Sequence, residues 1–198
     1  DLHPDIELSI DASNRLIDFY ADDYDLGIRY GRGPWDDVEM FKLSDVVIFP
    51  VCAPKLIADQ PALQPAQLDD FTLLHESRKE YWADWLKEAG VRAEMDWRGT
   101  VFQNHLAIEA AEAGQGFALG DQILCTDSLV EGWLLRPFSI DMKDHGSYWI
   151  VRKKGSKEQA TARAFREWLM GEMVETNRRF QLIRAKDQKP LAKTAPAA

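Results

Sequence analysis

A two-lobed α/β fold, each lobe a mostly parallel sheet flanked by helices, is the architecture this sequence predicts, on three observations. Short segments of period-two apolar residues alternate with segments of helical spacing along most of the chain. Two of the strands, over 43–52 and 147–152, read as crossings that take the chain from a first lobe into a second and back. The 198 residues, 45% of them hydrophobic, suffice for one ordinary core or two small lobes sharing a hinge, and they exclude a disordered chain.

Taken in order, Ile6, Leu8 and Ile10 alternate with Asp5, Glu7 and Ser9, predicting an edge strand over 5–10 with one buried face. Ser13 or Asn14 can cap a helix over 14–20 whose apolar positions are Leu16, Phe19 and Tyr20. Leu26, Ile28 and Tyr30 alternate in a strand over 25–30 that Gly31 and Gly33 end, so strand, helix and strand within thirty residues imply a parallel crossover. The strand over 43–52 contains Pro50, tolerated at a bulge or where a strand leaves a sheet.

Pro54, Pro61 and Pro65 punctuate the segment beyond that strand, and 71–75 is the next strand. Ser77 opens a helix carrying Tyr81, Trp82, Trp85 and Leu86, closed by Gly90; these aromatics fit core packing at helical spacing better than a stacking platform. A strand over 97–102 leads to a helix from Asn104 with Leu106, Ala107, Ala110 and Ala111, stopped at Gly114, and 116–120 returns as a strand. Residues 133–138 close the second lobe. Ser156 and Gln159 form a capping box for a helix whose face of Ala164, Phe165, Trp168, Leu169 and Met173 docks on the first lobe. The predicted organisation is a first lobe of 1–51 and 149–176, a second lobe of 52–148, and a disordered tail over 177–198, rich in Ala, Pro, Gln and basic residues.

Charge is unevenly spread. Residues 1–50 hold 12 acidic and 4 basic side chains, 51–149 hold 16 and 8, and 150–198 hold 5 and 12. The net charge of −9 argues against this segment gripping nucleic acid, which needs a basic face that displaces counterions. No run approaches the roughly 18 apolar residues of a membrane span, and the acidic start at Asp1 is unlike a signal peptide, so a soluble chain is expected. Cys52 and Cys125 sit in apolar contexts without a C-x-x-C or a histidine pair, which points to reduced thiols, a cytoplasmic setting and no metal. No G-x-S-x-G, phosphate loop or H-E-x-x-H is present. Residues 114–120, GQGFALG, superficially match a dinucleotide fingerprint, but their glycines end a helix and enter a strand, the reverse of a pyrophosphate-binding turn.

The runs HPDIELSI at 3–10, DLGIRYG at 25–31, VVIFPVCAPKL at 46–56, LLHESRKEYWADWLKEAG at 73–90, VFQNHLAIEAAEAGQGFALG at 101–120 and LVEGWLLRPF at 129–138 follow in the order found in one family. Over about residues 1–173 the chain resembles the effector domain of LysR-type transcriptional regulators, in the branch of the glycine-cleavage activators and β-lactamase regulators. The resemblance implies a type II periplasmic-binding-protein-like fold with two hinge crossings. It implies a sensor, not an enzyme, that needs no cofactor and binds a small effector between its lobes. It also implies a homodimer or homotetramer, in which 5–10 and 14–20 meet the partner's helix 104–113, and a helix-turn-helix ahead of the domain that reads promoter DNA. Gln103 stands where relatives often carry an acidic residue. The alternatives are a solute receptor of a transporter, which shares the two-lobed architecture, and an enzyme on the same fold.

Site chemistry can be read from the residues themselves. The loop 100–105 ends a strand and opens a helix, so its free N–H groups and the helix dipole favour a carboxylate. Thr100, Gln103, Asn104 and His105 are candidate contacts there, although Asn104 can equally be a plain helix cap. Arg29 and Tyr30, at the end of their strand, can hold an anion from another side, or Arg29 can simply cover a lobe surface. Tyr148 and Trp149 lie on the return crossing, where alternation sends one to the cleft and the other into packing; the resemblance favours Tyr148 for the cleft. His75 ends a strand facing the same crevice, or is a satisfied core histidine.

Overall fold

The computed structural model describes residues 4, 6–13, 15–60, 62–76, 80–92, 100–102 and 106–187, without the side chains of Asp144 and His145. The chain divides into two compact units, Asp1–Asp45 with His145–Met173 and Val46–Asp144 with Val174–Ala198.

The first unit is built on β1 (Gly27–Gly31), the first part of β2 (Val38–Val51) and most of β6 (Met142–Lys153), with β6 between the other two. β1 and β6 pair antiparallel, from Gly27 opposite Val151 to Gly31 opposite Ser147. The Asp45 carboxylate accepts from the Ser147 hydroxyl at 2.9 Å, and Arg152 pairs with Glu39, which together tie β2 to β6. The core here is small: Phe19, Val38 and Val151 are buried, with Ile17, Tyr24, Trp35, Met40 and Trp149 packed partly against them.

Among the described residues, two expected elements of this unit are not formed. Residues 6–10 adopt no regular structure, and Leu8 and Ile10 are 54% and 77% exposed, because alternation makes a strand only where a neighbour completes the ladder. Residues 15–22 are turns and bends. The Asp18 carboxylate accepts from the Tyr20 N–H at 2.9 Å, and Asp22 accepts from both the Asp18 N–H and the Arg15 guanidinium. Such short-range side-chain bonds compete with the helical ladder, and they win here because the apolar positions Leu16 and Tyr20 stay exposed and add no burial to a helix. Among the described residues there is accordingly no parallel crossover into β1, whose recorded partner, β6, runs antiparallel to it.

The second unit carries the larger core. β5 (Phe117–Asp121) lies between β2 and β3 (Leu73–Glu76), antiparallel to β2 and parallel to β3, and β4 (Val101–Phe102) adds in parallel beyond β3. Pro50 is kept inside β2 opposite Leu119. Pro54 and Pro65 open short 3-10 helices at Pro54–Ile57 and Pro65–Asp70, the first-turn position where a missing N–H costs nothing. Pro61 and Ser77 lie outside the described residues.

α1 (Glu80–Glu88) buries Trp82, Trp85 and Leu86, one face at three- and four-residue spacing. The Trp82 and Trp85 indoles donate to the carbonyls of Leu74 and Ile140 at 3.2 and 3.3 Å, so their burial leaves no donor stranded. α2 (Leu106–Glu112) buries Ala107, Ile108, Ala110 and Ala111. α3 (Gln122–Glu131) is not among the predicted elements, yet its signals are local: the Asp121 carboxylate accepts from the N–H groups of Ile123 and Leu124, and Gly132 closes the helix in the left-handed region.

The last helix, α4 (Ala160–Asp187), differs from expectation at both ends. The Ser156 hydroxyl donates to the Lys153 carbonyl at 2.8 Å instead of capping, and the first helical bond runs from Arg163 to Gln159. At the far end, residues 177–187, expected as part of a disordered tail, are helical. Phe180, 1% exposed and stacked on Phe49 at 5.0 Å, supplies the burial that the composition of the segment does not announce.

Candidate functional site

In the first unit the candidate residues fall on two facing strands. Arg29 stands opposite Trp149 and Tyr30 opposite Tyr148. Cross-strand partners share a face of a sheet, and neighbours along a strand take opposite faces. Tyr30 and Tyr148 accordingly lie together, their ring centroids 5.3 Å apart and the planes tilted by 53°. Gly146 makes room for them: a side-chain carbon there would stand 2.5 Å from the Tyr30 ring.

Arg29 occupies the other face. Its guanidinium lies 4.8 Å over the Trp35 ring, and Trp35 meets Trp149 edge to face at 6.5 Å. The Trp149 indole donates to the Gly31 carbonyl at 3.1 Å, and the ring packs against the small core, so Trp149 is the packing member of the 148–149 pair. Arg29 Nη2 is buried with no hydrogen-bond acceptor among the described residues. A buried guanidinium N–H without an acceptor is costly, and a carboxylate supplies the charge-assisted bond that relieves it.

The second unit holds the other candidates. His75 is 1% exposed within β3, and its backbone N–H donates to the Thr100 carbonyl at 3.0 Å. The ring is therefore an interior group of the sheet. Thr100 is exposed immediately before β4, and Gln103, Asn104 and His105 lie outside the described residues. Of the eight candidates the structure thus joins Tyr30 with Tyr148, sets Arg29 on the opposite face, and joins His75 with Thr100 through the backbone. Trp35, the platform under Arg29, is not among the residues the sequence singles out, since nothing in its Gly-Pro-Trp context announces a stacking role.

Burial pushes the Cys52 thiol up to about 12 and raises Cys125 well above its ordinary value, the latter helped by the nearby Asp121 charge. Neither is a nucleophile near neutral pH. Among the described residues no group of three or more His, Cys, Asp or Glu could hold a metal ion, and no helix is long and apolar enough to cross a membrane.

Comparison with known proteins identifies the family. Residues 1–174 match the LysR substrate binding domain family. The chain is 34% identical over 170 residues to the HTH-type transcriptional activator AmpR of Pseudomonas aeruginosa, covering 85% of this chain and 56% of that protein. It is 29% identical over 181 residues to the glycine cleavage system transcriptional activator of Escherichia coli K12, covering 90% and 59%. The chain thus spans less than two thirds of these curated relatives, which are transcriptional activators and not enzymes. The crystal structure of the AmpR effector domain of Pseudomonas aeruginosa superposes with a TM-score of 0.74 at 32% identity, covering 91% of this chain and 87% of that one. The Citrobacter freundii AmpR effector binding domain gives 0.72 at 31%, with 88% and 86% covered. With this family match and these neighbours, the chain belongs to the LysR substrate-binding-domain family, the effector-sensing part of LysR-type transcriptional regulators, with its type II periplasmic-binding-protein-like α/β fold.

Proposed function

We propose that this chain is the sensing part of a longer LysR-type regulator, that it is not itself an enzyme, and that its effector is a small carboxylate-bearing molecule held by Arg29. The observation that carries the effector class is the buried Arg29 Nη2, a donor in want of an acceptor on a guanidinium already positioned by Trp35. Tyr30 and Tyr148 are a second candidate contact on the opposite face of the strand pair, and Thr100, Gln103, Asn104 and His105 are candidate contacts in the second unit. Promoter DNA is a partner of the whole regulator through a helix-turn-helix, in keeping with the relatives' names, and not of this segment, whose net charge is −9. A cytoplasmic homo-oligomer is the setting proposed for the whole protein.

Calorimetric titration with amino acids, aromatic acids and cell-wall fragments tests the site, repeated for Arg29→Ala, Tyr148→Phe and Asn104→Ala. Loss of a charged hydrogen-bond partner costs on the order of 1.5–3 kcal/mol, so Arg29→Ala should weaken binding about tenfold to a hundredfold. Loss in Tyr148→Phe alone would move the site to the tyrosine face. An affinity that ignores all three substitutions would overturn the proposed contacts. In a gel-shift assay at physiological salt the chain alone should leave promoter DNA unretarded.

A further inference from the structure

α4 contributes to both units: residues up to Met173 belong to the first and those from Val174 to the second. The second stretch begins where the family match ends, at residue 174. Its attachment is specific. Phe180 stacks on Phe49 of β2, and Arg179 pairs with Asp127 of α3 at 2.6 Å. Arg136, whose side chain is 2% exposed, lies 4.4 Å from the Phe49 ring centroid and 5.2 Å from that of Phe180. It pairs with Asp141 at 2.8 Å and more loosely with Asp187 at 3.7 Å, while Arg184 closes on Asp141 at 2.6 Å. The Ser139 hydroxyl donates to the Asp187 carbonyl at 3.3 Å.

Two features make this attachment separable. Arg136 Nε and Nη1 are buried with no hydrogen-bond partner among the described residues, so the docked cluster leaves donors unsatisfied and gains less than its four charges suggest. Gly171 sits inside the helix with open space where its Cβ would be, so no packing reason excludes a side chain there. An interior helical glycine weakens the ladder relative to alanine, and this one lies three residues before the change of unit.

We propose that residues 174–187 are a strap, jointed at Gly171 and fastened to the second unit by Phe180 and the Arg136–Asp141–Arg184–Asp187 cluster, which undocks as one piece while the rest of that unit stays folded. Undocking uncovers the Phe49 ring on β2, the strand by which the chain enters the second unit. The strap thereby gives that unit a docked and an undocked state.

Hydrogen exchange of the whole chain, read by peptide mass spectrometry, tests it. The amides of 174–187 should exchange together, at least about tenfold faster than those of 117–131 in β5 and α3. Phe180→Ala should speed 174–187 further and leave 117–131 unchanged, while Gly171→Ala should slow 174–187 about fivefold by restoring helix propensity at the joint. Equal protection of the two segments in the unmutated chain overturns the strap, as does a Phe180→Ala effect shared by both. A rate that falls steadily inward from Asp187 also overturns it, since that is a fraying end.

Discussion

The two units use similar proportions of apolar sequence to different effect. In the second, Trp82, Trp85, Phe117 and Phe138 interlock in one cluster, and Phe49, Ile108, Leu134 and Phe180 in another, all of them buried. In the first, the one cluster holds three buried residues, Phe19, Val38 and Val151, while Leu8, Ile10, Leu16 and Tyr20 of the same unit are exposed. The contrast shows that periodicity proposes an element and burial decides it: α1 and α2 formed where their apolar faces met a sheet, while the described residues 6–10 and 15–20, with equally regular patterns, did not form theirs.

Large-to-small substitutions break the comparison most directly. Trp85→Ala removes a ring with 0% exposure, 5.4 Å from Phe138 and 6.4 Å from Trp82, and should cost near the top of the roughly 3–5 kcal/mol seen for buried aromatics. Phe19→Ala, in the thinner core, should fall at or below the bottom of that range, which is about 3 kcal/mol. Urea unfolding followed by circular dichroism measures both, and equal losses would show that the first unit is as tightly packed as the second.

Charge insertion separates the units next. Leu16 and Ile108 both lie in segments expected to meet a partner subunit, but Ile108 is 7% exposed within the second-unit core and Leu16 is 68% exposed. Ile108→Asp is a core lesion and should cost several kcal/mol, about 3 or more, whereas Leu16→Asp should stay within about 0.5 kcal/mol. Sedimentation can therefore use Leu16→Asp as an interface probe, but not Ile108→Asp. A smaller effect belongs to Asp121→Ala, which strips α3 of its cap and should cost about 1 kcal/mol by the same unfolding measurement.

Acid should act on the units with opposite sign. In the first, the Arg166 guanidinium, bonded to Glu158 through two nitrogens at 2.8 and 2.9 Å, holds the Glu158 carboxyl below its ordinary range, with Arg152 and Arg163 adding to the pull. That contribution is present above the ordinary carboxylate range and is lost as pH falls through the lowered value. In the second, burial holds the Asp187 carboxyl above its ordinary range; Arg136 opposes this and Asp141 adds to it, with Arg184 completing the cluster. Its contribution is full below the ordinary range and is lost as pH rises through the raised value. Between neutral and mildly acid pH, exchange protection should increase at 177–187, and Asp187→Asn should abolish that increase. In the first unit, stability should fall only at more acid pH, and Glu158→Gln should flatten that fall. The same pH trend in both units would mean that these two carboxyls do not govern it.

The part of the candidate site that could be read from sequence was its residue types and their strands. That 148 and 149 take different faces follows from strand alternation, and Trp149 indeed packs. That Arg29 and Tyr30 must then also part company follows from the same rule, but which face each shares depends on the register of β1 against β6, set by a strand more than a hundred residues away. Trp35 as the support of Arg29 has the same non-local origin.

By itself the sequence determined the family, the α/β class and the helices whose faces repeat at three and four residues, because these rest on composition, ordered motifs and local period. It also held the signals for α3, an aspartate cap and a closing glycine, although the buried face of that helix, with Gln122, Thr126 and Ser128 beside Cys125, is no apolar stripe. Tertiary structure alone decided that 6–13 and 15–20 stay irregular, that α4 runs on to Asp187, and that one guanidinium is shared among two rings and two carboxylates. Each of those outcomes depends on whether a distant surface is present to bury against, and burial is a property of pairs of segments that no single segment encodes.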